Sequence, residues 1–313
     1  MRIGLWKPDS KFTSRNNPSN MADPMHRLCQ VTALLALSAL AVATSNASAR
    51  EYSDNDYAAH VKLWKESLPE GFHIVVEKPF VVIGDESPEM VERRAAGTVR
   101  WAVKRLKELY FHKDPQQIIN IWLFKDKASY EKHAWELLGD RPHTPYGYYS
   151  PSSKALVMNI STGGGTLVHE IVHPFVEANF PDCPAWLNEG LGSLYEQCGE
   201  RNGRITGFTN WRLAGLQRAI GEKRVPPFET LLNTTAAEFY NEDKGTNYAQ
   251  ARYLCYYLQE RGLLVKYYHA FHKNANDDPG GYQTLTSLLD ENQHVAFQRR
   301  WEDWVLELKY PQR

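Results

Sequence analysis

The chain has 313 residues and a formal net charge of −1, and it carries no block of Lys or Arg of the kind a nucleic-acid binder shows. Aromatic residues are abundant, at 9 Trp, 17 Tyr and 12 Phe, and a packed aromatic core accounts for them better than a sugar- or base-stacking platform.

The first segment is read for targeting before it is read for fold. Lys7, Lys11, Arg15 and Arg27 form a basic lead to a small-apolar run of 13 residues, 31–43. A membrane-spanning helix needs about 20 residues. The run therefore reads as the core of a signal peptide, 1–49, cleaved after Ala47-Ser48-Ala49, with Arg50 as the mature start. An uncleaved anchor is the alternative, and Met21 or Met25 as initiator would give a signal of ordinary length. The localisation that follows is periplasmic or secreted, with no membrane contact after cleavage. Removing 49 of 313 residues leaves 264, enough for one large domain or two intimate subdomains.

Residues 73–83 are β-branched and broken by Pro79, which predicts a strand or hairpin. Ser87-Pro88-Glu89 opens an amphipathic helix running to Tyr110, followed by a strand at 118–124 and a helix at 127–138. The Gly-, Pro-, Ser- and Tyr-rich stretch 139–153 reads as loop, and 154–160 as a short strand. From Gly163 onward the pattern is helical almost throughout, at 163–179, 185–197, 209–220, 246–260, 262–274 and 292–309. This order is α+β: an N-terminal half, 50–180, built on a sheet, and a helical C-terminal half, 181–313, together forming one catalytic unit. Within the last helix, Phe297, Trp301, Trp304, Val305 and Leu308 recur at helical spacing and read as a packing stripe.

Three cysteines remain beyond Cys29 of the signal: Cys183, Cys198 and Cys255. The helix expected between Cys183 and Cys198 would hold them about 22 Å apart, and a disulfide tolerates about 7 Å. Cys255 is the better partner for either one, or no bridge forms.

The strongest chemical signal is His169-Glu170-Ile171-Val172-His173. Leu167, Ile171 and Phe175 form one apolar row and Val168, Val172 and Val176 the next, so the segment is a helix with a broad buried face. One turn, about 6 Å, separates the two histidines, which lets both imidazoles reach one metal ion. Glu170 then stands beside the metal, where a carboxylate can take a proton from bound water. Two structural histidines bonded to nearby carbonyls are the alternative. A catalytic zinc needs a third protein ligand and an open position. Val176 and Asn179 rule out a His-x-x-Gly-x-x-His continuation, whereas Pro184-Ala185-Trp186-Leu187-Asn188-Glu189-Gly190-Leu191 begins a second helix that carries Glu189 just off its packing face. Gly190 and Gly192 would let the two helices approach closely. Pro174 removes a backbone donor just past His173 and is expected to kink the first helix.

His169-Glu170-Ile171-Val172-His173 followed by Trp186-Leu187-Asn188-Glu189-Gly190-Leu191 resembles the gluzincin metallopeptidases, especially the bacterial peptidase-MA-like domains. The resemblance covers about 118–260 and is most specific in 165–196. It implies a zincin-like fold with one Zn2+ per chain, His169, His173 and Glu189 as ligands, Glu170 as catalytic base, and a peptide or protein as substrate. It also implies a strand lying antiparallel to bound substrate just before the active helix, a place that 154–160 occupies. The Gly-x-Met-Glu-Asn signature of the family's exopeptidases is missing, which favours an endopeptidase. Tyr248 resembles the downstream tyrosine that faces the metal and is the candidate oxyanion donor; Arg252 one turn on would bind substrate or pair with an acid. The remaining histidines, such as His112, His133, His143, His269 and His272, lack ligand spacing and read as surface or structural. Two other functions stay open: hydrolysis of a non-protein amide such as one in the cell wall, and an inactive zincin-fold binding protein.

Overall fold

The computed structural model describes residues 52–150, 153–241, 246–289 and 294–310. The segment read as a signal peptide, with Cys29 and the Arg50 start, lies outside the described residues. Among the described residues no helix is long and apolar enough to cross a membrane.

Helix α1, Asp54–Ser67, precedes the sheet and was not anticipated, although Ser53 and Asp56 form a capping box that marks its start. The expected hairpin is present as β1, His73–Glu77, antiparallel to β2, Phe80–Gly84. The helix expected to run to Tyr110 is built as α2, Pro88–Arg94, a π-helical stretch, Ala95–Arg100, and α3, Trp101–Leu109. Then follow β3, Ile119–Phe124, and α4, Lys127–Leu138. The stretch expected to be loop contains β4, Gly147–Ser150, which earns strand geometry from its antiparallel pairing with β5, Ala155–Asn159.

The strand order is β1-β2-β3-β5-β4, with β2, β3 and β5 parallel and the two edge strands antiparallel. The three central strands are buried on both faces, which is why they read as continuous apolar runs. Val81, Ile83, Trp122 and Val157 pack under α1 and α4, while Phe80, Val82, Leu123, Leu156 and Met158 face the opposite core. The sheet thus presents one flank to α5, Gly165–Asn179. That helix runs unbroken through Pro174, so the proline removes one donor without ending the helix.

Beyond α5 the chain is mostly helical, and the architecture is α+β. Helix α6, Ala185–Tyr195, is followed by a two-stranded hairpin, β6 at Cys198–Arg201 and β7 at Arg204–Gly207, in the gap between the helices expected at 185–197 and 209–220, where no strand was anticipated. Its turn is Asn202-Gly203, both at positive φ, of 52° and 73°. Such a pair is the strongest short hairpin signal in a sequence. The remaining helices are α7, Arg212–Gly221; the short α8, Phe228–Leu232, and α9, Ala236–Asn241; α10, Asn247–Glu260; α11, Leu264–Asn274; α12, Tyr282–Leu288; and α13, His294–Glu307. Short α8, α9 and α12 were not foreseen. The α13 stripe packs as expected: Phe297, Trp301 and Val305 are buried, and the Trp301 indole donates to the Tyr253 carbonyl at 3.2 Å. One apolar core runs from Phe80 and Leu123 through Ile171 and Phe175 to Leu191, Tyr253 and Trp301, joining sheet half and helical half.

Candidate metal centre

Helix α5 buries Leu167, Ile171 and Phe175 against the sheet, together with Val168, Val172 and Val176. That orientation turns His169 and His173 toward α6, with ring centroids 4.9 Å apart. His169, Glu170 and His173 offer ligand atoms that all lie within 4.8 Å of one another. From α6, Glu189 brings Oε2 to 3.2 Å from His169 Nε2. The four residues named from the sequence are therefore gathered at one point.

His173 is anchored through its other nitrogen by a hydrogen bond, and His169 by an ion-pair contact without hydrogen-bond geometry. His173 Nδ1 lies 2.9 Å from Asn188 Oδ1, and His169 Nδ1 lies 3.2 Å from Glu196 Oε1. Glu196 is itself held by the Arg212 guanidinium, with Nη2 at 2.7 Å and Nε at 3.1 Å, and by Asn210 Nδ2 at 3.3 Å. Tyr240 on α9 donates its hydroxyl to Glu189 Oε1 at 2.8 Å. Gly192 has a definite role here: a Cβ at that position would stand 3.1 Å from the His169 ring. Gly190 does not serve the same approach, since its Cβ would meet Cys255 Sγ at 2.9 Å and the Ala251 carbonyl oxygen at 3.1 Å on α10.

The donor set suits a metal ion. The hydrogen bond at His173 Nδ1 leaves its Nε2 for the ion, as is usual for ligand histidines, and the Glu196 contact at His169 Nδ1 leaves the other Nε2 facing Glu189. Glu189 Oε2 is buried with only the ion-pair contact to His169 Nε2 at 3.2 Å and no hydrogen bond of good geometry, and such an oxygen is costly unless something coordinates it. Burial draws the His169 imidazole toward neutrality, yet its contacts with Glu189 and Glu196 and the charge of Glu170 raise its pKa well above the ordinary value. Burial likewise opposes ionisation of Glu189, but His169, the charge of His173 and the Tyr240 hydroxyl hold it down at about 2. The same balance, between burial and the pull of His169 and Arg212, keeps Glu196 at about 2.

The centre lies at the base of a cleft of about 1360 Å³. One wall is α5 with β4 and the π-helical residues Gly97 and Thr98; the other is formed by α6, Trp211, Arg212, Tyr240 and Tyr248. Exposed aromatics rim it, with Tyr146 at 55 %, Trp211 at 54 % and Tyr240 at 46 % accessible.

Several expectations change. The edge strand beside α5 is β4, whereas 154–160 forms β5, an interior strand paired on both sides. Tyr248 lines the cleft, with its ring 5.5 Å from the Arg212 guanidinium and 5.2 Å from Phe239, while Tyr240 is the tyrosine that touches Glu189. Arg252 is fully buried and its contacts are backbone carbonyls: Nε donates to the Ser193 carbonyl at 2.9 Å, and Nη2 donates to the carbonyls of Leu194 and Phe208. His143 lies on the cleft wall, 5.2 Å from the Tyr148 ring, whereas His112, His133, His269 and His272 make packing or backbone contacts elsewhere. Cys183, Cys198 and Cys255 are all free, so no bridge to Cys255 forms.

Glu196 was missed, although it follows Glu189 by seven residues, two turns along the same helix face. Tyr240 carries no such signal, because it reaches Glu189 from a six-residue helix through tertiary packing. No protein-family model matches the chain, and no curated protein matches it either.

Proposed function

We propose that the protein is a zinc-dependent endopeptidase of the gluzincin type, acting in the periplasm or outside the cell. One observation carries this reading. Two histidines a turn apart, one hydrogen-bonded through Nδ1 to Asn188 and the other with Nδ1 against Glu196, face a glutamate from a second helix whose buried Oε2 has no hydrogen bond and lies 3.2 Å from His169 Nε2, with Glu170 alongside. In that arrangement His169, His173 and Glu189 would hold the zinc and leave a position open.

The bound ion supplies Lewis acidity for the scissile carbonyl and for its attacking water. Glu170 accepts the water's proton and passes it to the leaving amine. Glu196 and Asn188 fix which nitrogen of each imidazole faces the centre. Tyr240 holds Glu189 through Oε1 and leaves Oε2 for the metal. Tyr248, which lines the same cleft wall, would donate to the oxyanion.

The edge position of β4 supports a peptide as substrate over a non-protein amide. An extended chain can add to its free side through main-chain hydrogen bonds, which recognise polypeptide whatever its side chains. Metal analysis of the purified chain, with parallel digests of casein and of peptidoglycan fragments, tests the proposal. One zinc per chain and cleaved casein are expected. Absence of bound zinc, or cleavage confined to peptidoglycan fragments, would overturn it.

A further inference from the structure

The cleft continues past the metal centre along α5. His169, His173, Val176, Glu177 and Phe180 recur at i, i+4, i+7, i+8 and i+11, and all five line it. Glu177 stands one turn, about 6 Å, beyond His173. An extended peptide advances about 3.3 Å per residue, so the distance is about two residues of substrate.

Glu177 differs in kind from the other carboxylates of the cleft. Glu189 is engaged by Tyr240 and His169, Glu196 by Arg212 and His169, and Glu170 lies 3.9 Å from His173. Arg212 is committed to Glu196 through two nitrogens. Glu177 is exposed and makes no hydrogen bond or ion pair among the described residues. Pro181 lines the cleft beyond it, as does Tyr149 of β4, whose hydroxyl is raised by burial and then by the Glu177 charge, while Val176 and Phe180 beneath are almost fully buried. A carboxylate without a partner among the described residues, with the Tyr149 ring and Pro181 on the same cleft lining, matches a long aliphatic stem that ends in a cation.

We propose that Glu177 is the anionic end of a pocket that selects a lysine or arginine side chain of the substrate, within about two residues of the cleaved bond. The assignment rests on the reading of the cleft as a peptide site, and its test is therefore a binding measurement that does not depend on turnover.

Blocked decapeptides, acetylated and amidated, would differ only in carrying lysine or norleucine at one scanned position. Their affinities would be measured by fluorescence anisotropy on the full mature chain bearing Glu170→Gln, which cannot consume them. At one position lysine is expected to bind about threefold to tenfold more tightly than norleucine, a range suited to a partly exposed ion pair. The ratio should shrink at 1 M salt, where charges are screened within about 3 Å. Adding Glu177→Gln should bring the ratio to about one, and Glu177→Lys should favour glutamate over lysine at the same position. A ratio near one in the Glu170→Gln parent, or a ratio that persists with Glu177→Gln, overturns the assignment. Discrimination that arises only when the α-amine is left free also overturns it, and would mark a terminus-binding site instead. If discrimination holds but the unmutated chain cuts none of the peptides, the pocket stands and the hydrolytic reading falls.

Discussion

Glu170→Gln preserves the shape of the side chain but removes its capacity to accept a proton. The variant is expected to keep its zinc and to lose about 10²- to 10⁴-fold in kcat; an intact rate, or loss of zinc, would show that Glu170 is not the base. Glu189→Ala and His173→Ala should each lose the metal instead, because two remaining ligands seldom retain a catalytic zinc. The two tyrosines separate by the same pair of readouts. Tyr248→Phe should lower kcat by about 10²- to 10³-fold at constant KM and zinc content. Tyr240→Phe frees Glu189 Oε1 and should weaken zinc affinity by about 10- to 100-fold. Burial pushes the Cys255 thiol up to about 12, so iodoacetamide at pH 8 should leave it unmodified in the folded chain and alkylate it in urea. Labelling of Cys255 in the native state would contradict the packing of α10 against α6.

At the scale of elements, the site depends on how closely α6 is seated between α5 and α10. Gly192→Ala would place a Cβ 3.1 Å from three atoms of the His169 ring, and reduced zinc affinity in a folded protein is the expected result, read by competition with a chelator. Arg252→Met would remove the guanidinium donors from the Leu194 and Phe208 carbonyls and leave the Ser193 carbonyl only the Glu196 N–H at 3.4 Å, at a cost of about 1 to 3 kcal/mol for each orphaned group. Urea denaturation would measure that loss directly. The same packing explains which elements could be read beforehand. Helix α5 was legible because its two apolar rows, from Leu167 to Phe175 and from Val168 to Val176, fix both its period and its buried face. The β6–β7 hairpin was legible too, in Asn202-Gly203, and was overlooked beside the stronger helical pattern around it. Strand β4 was not legible, since Gly147-Tyr148-Tyr149-Ser150 has loop composition and becomes a strand only by pairing with β5.

Across the whole molecule, metal binding and folding should be coupled. Glu189 and the histidines come from two helices that meet only in the folded chain, so zinc binds the native state in preference to the unfolded one. At about 1,000 times its Kd, zinc would add about 4 kcal/mol. For a chain of this size that is a rise in Tm on the order of 10 °C. Calorimetry with and without a chelator checks this, and an unchanged Tm would mean that the constellation does not close on zinc.

The sequence by itself determined the α+β order, the helix that carries His169, Glu170 and His173, and the next helix, on which Glu189 lies. Each of these rests on spacing along one segment, where helical geometry alone decides which residues share a face. The tertiary structure decided the rest. It brought Glu196, Arg212 and Tyr240 to the backs of the ligands, made β4 the sheet edge, buried Arg252 among carbonyls, and left Glu177 unpaired on the cleft wall. Those relations join segments many residues apart, and no local periodicity records which distant carbonyl or carboxylate a side chain will meet.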